Sequence, residues 1–424
     1  MLLAEVRMLL TTAGGPWLLG AAWVLGVVVA MAPAVAGLAR LPRLAAMPPA
    51  APGTEPRVSV VVAARNEAEG LQSALGSLLA SRGVRLEVVA VDDRSSDATP
   101  DILERLARGD PRLRTVHLRR VPPGWLGKNH ALQRGAEAAG GDWLLFTDAD
   151  VRFAPDAISR AVAFARRREL AHVTALPGLI TSGPAIRLFM VWMLLIFAVW
   201  QRPWQAGRTN HRASAGFGAF NLVRRDAYWG VGGHAAFPLA LTDDVVLGAR
   251  LKAAGYRQSL VVAAHVGAGR PLVELQWYPD LRAAVQGFEK NSFAMFRFQP
   301  WAVACCSLLG LLCAALPPAE ILLAPGWARL PWVFGYLLTS ASVCYAAGLI
   351  VDRRSWGPAL LFPVAQLILV WTVVRSSVIT LRRGGVRWRD TFYGLAELRA
   401  ATVPPRHMRT AVGVETNDLL APPP

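Results

Sequence analysis

Residues 86–108 read LEVVAVDDRSSDATPDILERLAR, a β-branched apolar run that ends on two aspartates, breaks at a polar turn and continues at helical spacing. The same pattern occurs upstream, where VSVVVAA (58–64) is followed by a helix-like segment at 67–81. It continues downstream with a helix at 97–108, a strand at 112–118, a helix at 128–139, a strand at 143–147 and a helix at 155–168. Strands alternating with helices in this way predict an α/β fold whose sheet is mainly parallel and covered by helices on both faces. Ligands of such sheets bind beyond the carboxyl ends of the strands, and the acidic residues of interest fall there.

The composition is that of a chain only partly in water. Of 424 residues, 54% are hydrophobic and 17% charged, which fits a soluble domain joined to membrane segments. The net charge of +16 suits either nucleic acid or an anionic membrane surface. No nucleic-acid-binding signature accompanies the basic residues, and many of them flank apolar segments, so the membrane is the expected partner and nucleic acid is not. The four cysteines all lie in apolar runs without metal-ligand spacing, and the seven histidines form no HxxxH pair, which argues against a disulfide framework and against zinc.

Gly15 to Ala39 contains no charged residue, longer than the roughly 20 residues that cross a bilayer. Residues 1–41 are therefore expected to form a transmembrane helix, with Arg40 and Arg43 placing its far end in the cytoplasm. A proline- and alanine-rich linker (42–57) leads to a catalytic domain at 58–265. Within it, 184–200 is apolar but short and is expected to lie in the membrane interface, with a buried helix as the equal alternative. An amphipathic interfacial region (266–300) precedes apolar segments at 301–381, the first interrupted by Pro317, Pro318 and Glu320, and a basic tail at 382–424. Three spans would put that tail outside, against the positive-inside tendency, so one segment is expected to be re-entrant or interfacial.

Three acidic groups carry the chemistry. Asp93 ends the run VDD and precedes Asp97, a pattern that a turn and a helix cap explain as well as a nucleoside contact does. Asp148 and Asp150 follow the apolar strand WLLF and can hold a divalent cation such as Mg2+ or Mn2+, which takes oxygens from carboxylate and phosphate together. Asp243 and Asp244 open the helical segment VVLGARLKAAG (245–255), where a carboxylate can serve as cap, as general base, or as both.

The ordered series VVVAARNE (60–67), VDDRSSD (91–97), GWLGKNHALQRG (124–135), FTDAD (146–150) and TDDVVLGARL (242–251) resembles the family 2 glycosyltransferases. It is most similar to the membrane branch that includes hopene-associated, carotenoid and ceramide glucosyltransferases, with a weaker echo in GGVRWRDTFYGLAEL (384–398). The resemblance covers about residues 55–300 and implies a GT-A-type, Rossmann-like mixed sheet. It also implies that Asp93 binds the nucleobase or ribose with Ala64 and Glu67 shaping that pocket, that Asp148 sits near the ribose and diphosphate, and that Asp150 binds the metal. Asp244 would be the base, Asp243 would position the acceptor or donor sugar, and Lys128 would contact the diphosphate or nucleoside.

The implied reaction is an inverting, metal-dependent transfer of one sugar from a UDP- or GDP-sugar to a lipid or lipid-like acceptor. The expected location is the cell membrane, multi-pass, with the catalytic domain facing the cytoplasm. The Gln-x-x-Arg-Trp string of polymerising members is absent, which favours single transfer over a processive polysaccharide synthase. The competing readings are a non-catalytic membrane partner that keeps the fold, and a transporter, which the scarcity of ionisable residues in the C-terminal apolar segments disfavours.

Overall fold

The computed structural model describes residues 14–51, 53–208, 210–264, 271–351, 356–389 and 391–402. The N-terminal end of the first apolar segment (1–13) and most of the basic tail (403–424) lie outside them.

Helix α1 (Gly14–Ala39) leads to strand β1 (Arg57–Ala64), helix α2 (Ala68–Leu79), β2 (Arg85–Asp93), α3 (Thr99–Gly109), β3 (Leu113–Leu118), α4 (Gly127–Ala138) and β4 (Trp143–Asp148). Then come β5 (Arg152–Phe153), α5 (Ala157–Arg167), β6 (His172–Leu176), β7 (Gly178–Leu179), α6 (Pro184–Gln201), β8 (Asn221–Arg224), α7 (Arg225–Gly230), α8 (Asp243–Ala253), β9 (Gln258–Val262) and β10 (Val273–Leu275). The C-terminal part comprises α9 (Leu281–Met295), α10 (Pro300–Leu323), α11 (Leu330–Ile350), α12 (Phe362–Arg383), β11 (Gly385–Trp388), β12 (Thr391–Gly394) and α13 (Leu395–Thr402).

The main sheet has the order β3-β2-β1-β4-β8-β6-β9. Its pairs are parallel except β4 with β8 and β6 with β8. This is a GT-A-like mixed, mainly parallel sheet with helices, joined to apolar helices. The buried runs VVV of β1 and VVAV of β2 are what a strand covered on both faces requires.

Among the described residues, five helices are long and apolar enough to cross a membrane: α1, α6, α10, α12 and the stretch Gly326–Ile350 that contains α11. Both ends of α6 join the catalytic domain. The Ile180 N–H donates to the Leu275 carbonyl (2.9 Å) before it, and after it the Lys252 ammonium donates to the Ala206 carbonyl (2.7 Å).

Three expectations are corrected. The segment around Pro317 and Pro318 is not broken, because α10 runs through both prolines. The pair removes two backbone donors, but the chain keeps the helix with Pro317 buried among its neighbours. The stretch 42–57 is more than a linker: Leu44 is fully buried, the Val262 N–H donates to the Pro42 carbonyl (2.8 Å), and the Arg160 guanidinium donates to the Ala45 carbonyl (3.1 Å). Finally, Gly385–Trp388 and Thr391–Gly394 pair as a β-hairpin packed on the α/β domain, where a basic tail was expected. Its apolar residues Val386 and Tyr393 pull it there, so the C-terminal end of α12 lies on the same side as the sheet's carboxyl edge.

Candidate active site

The parallel register brings the acidic strand ends together. Ala64 of β1 pairs with Asp92 of β2, and Ala63 pairs with Asp148 of β4, so Asp93, Ala64 and Asp148 stand side by side at one edge. Two loops following the strands are stitched to each other: the Asn66 N–H donates to Ser95 Oγ (3.0 Å), the Glu67 N–H to Thr99 Oγ1 (2.9 Å) and the Ala68 N–H to Asp97 Oδ2 (3.1 Å). Asp97, read from the sequence as a helix cap, also accepts the Thr99 N–H (3.0 Å), but the N-cap position of α3 is Ala98, so Asp97 ties the two loops together. Asp93 is buried and held by Arg94 Nε at 2.8 Å.

These residues line a cavity of about 350 Å³. Ala64, Glu67, Asp93, Lys128, Asp148 and Asp150 all face it. The rest of the wall includes Arg65, Trp277, Tyr278, Lys290, Trp388, Arg389 and Tyr393, to which motif reading gave no role. The basic and aromatic character of 281–298 and the tail echo were the available signals, but neither gives a direction in space.

Lys128, on the first turn of α4, donates to Asp148 Oδ1 at 2.7 Å and stands 3.7 Å from Asp243 Oδ1. Its neighbour Gly127 has to be glycine, because a Cβ there would lie 2.3 Å from Asp93 Oδ2. Asn129 fixes the distance from α4 to the segment before α8. Its Nδ2 donates to the carbonyls of Pro238 (3.1 Å) and Ala240 (2.9 Å), a role that sequence patterning does not reveal.

Asp243 and Asp244 begin α8. Asp243 faces Lys128, with His234 Nε2 3.9 Å away on its other side. Asp244 lies across a glycine-rich strip from Asp148: a Cβ on Gly218 would be 2.9 Å from Asp148 Oδ2 and 3.7 Å from Asp244 Oδ2. On Gly216 it would strike the Asp244 carbonyl at 2.0 Å. Burial pushes the Asp244 carboxyl up to about 7, with Asp243 adding to the rise. Asp243 is raised too, chiefly by burial.

Asp148 and Asp150 diverge. Burial pushes Asp148 up, but the Lys128 ammonium more than reverses this and leaves it below the usual carboxylate range. Asp150 is pushed up to about 7 by burial, with Asp148 and Glu67 adding. A carboxylate repelled by two others and open to the cavity is a fit place for a divalent cation. Among the described residues no group of three or more His, Cys, Asp or Glu can hold an ion by itself. Such a cation would therefore draw further oxygens from a substrate, as Mg2+ and Mn2+ do with phosphates. Opposite the carboxylates stands Lys290, pushed down to about 8 by burial and by Lys128 nearby.

Residues 59–231 match the family described as Glycosyl transferase family 2. The chain carries a glycosyl transferase family 2 domain. The matched part of this glycosyl transferase domain ends before Asp243 and Asp244 and before the cationic and aromatic wall. Among curated proteins, the chain is similar to succinoglycan biosynthesis protein ExoO of Rhizobium meliloti, at 37% identity over 34% of this chain and 40% of that protein. It is also similar to 4,4'-diaponeurosporenoate glycosyltransferase of Staphylococcus haemolyticus, at 26% identity over 43% of this chain and 48% of that protein. The chain thus spans less than half the length of either relative. Among solved structures, a mannosyltransferase from Pyrobaculum calidifontis in complex with GDP-Man and Mn2+ matches 83% of this chain and 99% of its own, at 20% identity and a TM-score of 0.43.

Proposed function

We propose that the protein transfers a single sugar from a UDP- or GDP-sugar to a lipid or lipid-like acceptor at the membrane surface, with inversion at the anomeric carbon. The observation that carries this reading is the closeness of Asp148 and Asp244 to one glycine, Gly218, with Asp148 lining a cavity that also holds Asp150, Lys128 and Lys290 and Asp244 standing outside that lining. The carboxylates and cations face one another across a space where a metal-bound diphosphate fits. Asp93, Ala64 and Glu67 would hold the nucleoside at the β1–β2 end.

Asp244 would take the proton from the acceptor hydroxyl as oxygen attacks the sugar carbon and the bond to the diphosphate breaks. Its elevated pKa makes it a stronger base than an ordinary aspartate, and Asp243 beside it keeps Lys128 in place. A Mg2+ or Mn2+ ion held by Asp150 and Asp148 would supply charge neutralisation for the leaving nucleoside diphosphate. Lys128 would sit against the same phosphates. With one base in reach of the acceptor and no covalent intermediate needed, the displacement is direct.

The lipid acceptor rests on the surroundings of the cleft. Helix α9, which carries Lys290, packs against the apolar helices α6 and α12. We place α6 and α9 along the cytoplasmic membrane interface, so that an acceptor reaches Asp244 from the bilayer side. The name of another relative, beta-monoglucosyldiacylglycerol synthase of Trichormus variabilis, 33% identical over 28% of this chain, is in keeping with a lipid acceptor.

The test is nucleoside-diphosphate release by purified protein in lipid, across UDP- and GDP-sugars with Mg2+ or Mn2+, for wild type and Asp244→Asn. Release that needs metal and lipid and collapses in the variant is the expected result. No release with any donor and lipid extract would favour a non-catalytic membrane partner.

A further inference from the structure

One wall of the cleft comes from outside the catalytic sheet. The β11–β12 hairpin follows the last apolar helix, yet Trp388, Arg389 and Tyr393 face the same cavity as Asp148 and Asp150. It is firmly seated, with Val386 and Tyr393 packed in a cluster with Leu126, Leu241 and Phe293. Leu126 and Leu241 immediately precede the segments that carry Lys128 and Asp243-Asp244, so hairpin and catalytic loops share one apolar support.

Arg389 at the hairpin turn has a φ of +53°, a conformation that suits glycine or asparagine better. Strained backbone of this kind persists where the surroundings hold it and clusters at ligand sites. The Arg389 guanidinium lies 2.8 Å from Glu67 Oε1, with side chains 38% and 32% exposed. An ion pair this open to solvent contributes little stability, on the order of 1 kcal/mol or less, so stability does not account for a strained arginine here. Beside it, the Lys290 ammonium stands 4.4 Å over the Trp388 ring, which holds a second cation toward the cavity.

We infer that Arg389 grips the diphosphate of the nucleotide-sugar while Trp388 steadies Lys290 over the same group, so that the segment after the last apolar helix completes the donor site. This rests on the cleft being a donor site. The guanidinium fork presents paired donors that match two phosphate oxygens, and Glu67 keeps it aimed into the cavity until a diphosphate takes them. The consequence is that donor binding depends on the C-terminal helices being assembled, because α12 delivers the hairpin.

The experiment is calorimetric binding of UDP, GDP and the corresponding monophosphates to the full chain in lipid-detergent micelles with Mn2+, for wild type, Arg389→Ala and Trp388→Ala. Arg389→Ala is expected to weaken the diphosphate by about tenfold or more, the scale of a lost charged hydrogen bond, and the monophosphate much less. Trp388→Ala should weaken it by a smaller factor. If Arg389→Ala also lowers the melting temperature, Arg389→Gln, which keeps a long polar side chain without the charge, is read by the same ratio of diphosphate to monophosphate affinity. An unchanged ratio in a folded variant overturns the inference and leaves the donor reading intact. A wild type that binds neither diphosphate overturns both.

Discussion

Asp244 sits where its surroundings favour the proton that the proposed role as base requires it to lose. The carboxyl is buried, lies beside Asp243 and is pushed up to about 7, so as a base it is active only once ionised. Turnover should therefore rise with pH through about 7 and level off above it, and Asp244→Asn should remove that limb while lowering kcat on the order of 10²- to 10⁴-fold. A pH–rate profile of both proteins checks this. The same shift acts on stability: a carboxyl whose pKa is raised on folding stabilises the fold below its unfolded value, and that contribution is lost as pH rises through 7. In chelator, melting temperature should fall between about pH 4 and pH 7, and Mn2+ with a nucleoside diphosphate should reduce the fall by favouring the ionised form of Asp150. Gly218 is the other residue under constraint. Gly218→Ala would push the Asp148 carboxylate out of place against its bond to Lys128, and donor affinity should drop by about tenfold with little change in melting temperature. Of these residues the carboxylates were legible in the sequence because each closes a strand or opens a helix. Gly218, Asn129 and Arg389 were not, because their importance lies in what stands opposite them across the fold.

At the scale of elements, α9 couples the apolar helices to the cleft. Ser376 of α12 is fully buried, donating to the Glu289 carbonyl and accepting the Phe293 N–H at 3.1 Å, while the Arg375 Nε holds Glu289 Oε2 at 3.0 Å. The adjacent Lys290 lines the cavity. Ser376→Ala should cost about 1–2 kcal/mol, seen as a lower melting temperature in detergent, and should weaken diphosphate binding by loosening Lys290. Strand and helix positions in the first half of the α/β domain follow the periodicity of the sequence closely, since β1, β2 and β4 are largely apolar runs bounded by polar turns. The second half was less readable. Strands β8 and β10 are short and owe their place to pairing with distant partners, as Asn221 does opposite Phe146 and Glu274 opposite Gly178.

For the whole molecule, the apolar helices and the catalytic sheet share one core. A single buried cluster runs from Val27 and Leu38 of α1, through Leu176 and Leu260 of the sheet and Ile186 of α6, to Leu349 and Ile350 of α11. A fragment spanning 42–280 should consequently aggregate without detergent, where light scattering would show it, because removing α1 and α11 uncovers apolar surface of the sheet and α6. The continuous core also fixes where the chain's C-terminal part lies, and it explains why counting apolar segments left the topology in conflict with charge. The Tyr336 hydroxyl bonds the Leu360 carbonyl, so the connection after α11 returns beside the first half of that helix before α12 begins. Helix α12 then runs back to the catalytic side, where its hairpin meets the cleft. The sequence by itself determined the alternating sheet, the apolar helices and the acidic strand ends, because periodicity and turn chemistry act over a few residues. Only the tertiary structure decided that Lys290, Trp388 and Arg389 face Asp148 and Asp150, because that meeting depends on packing between segments more than a hundred residues apart, for which local pattern carries no signal.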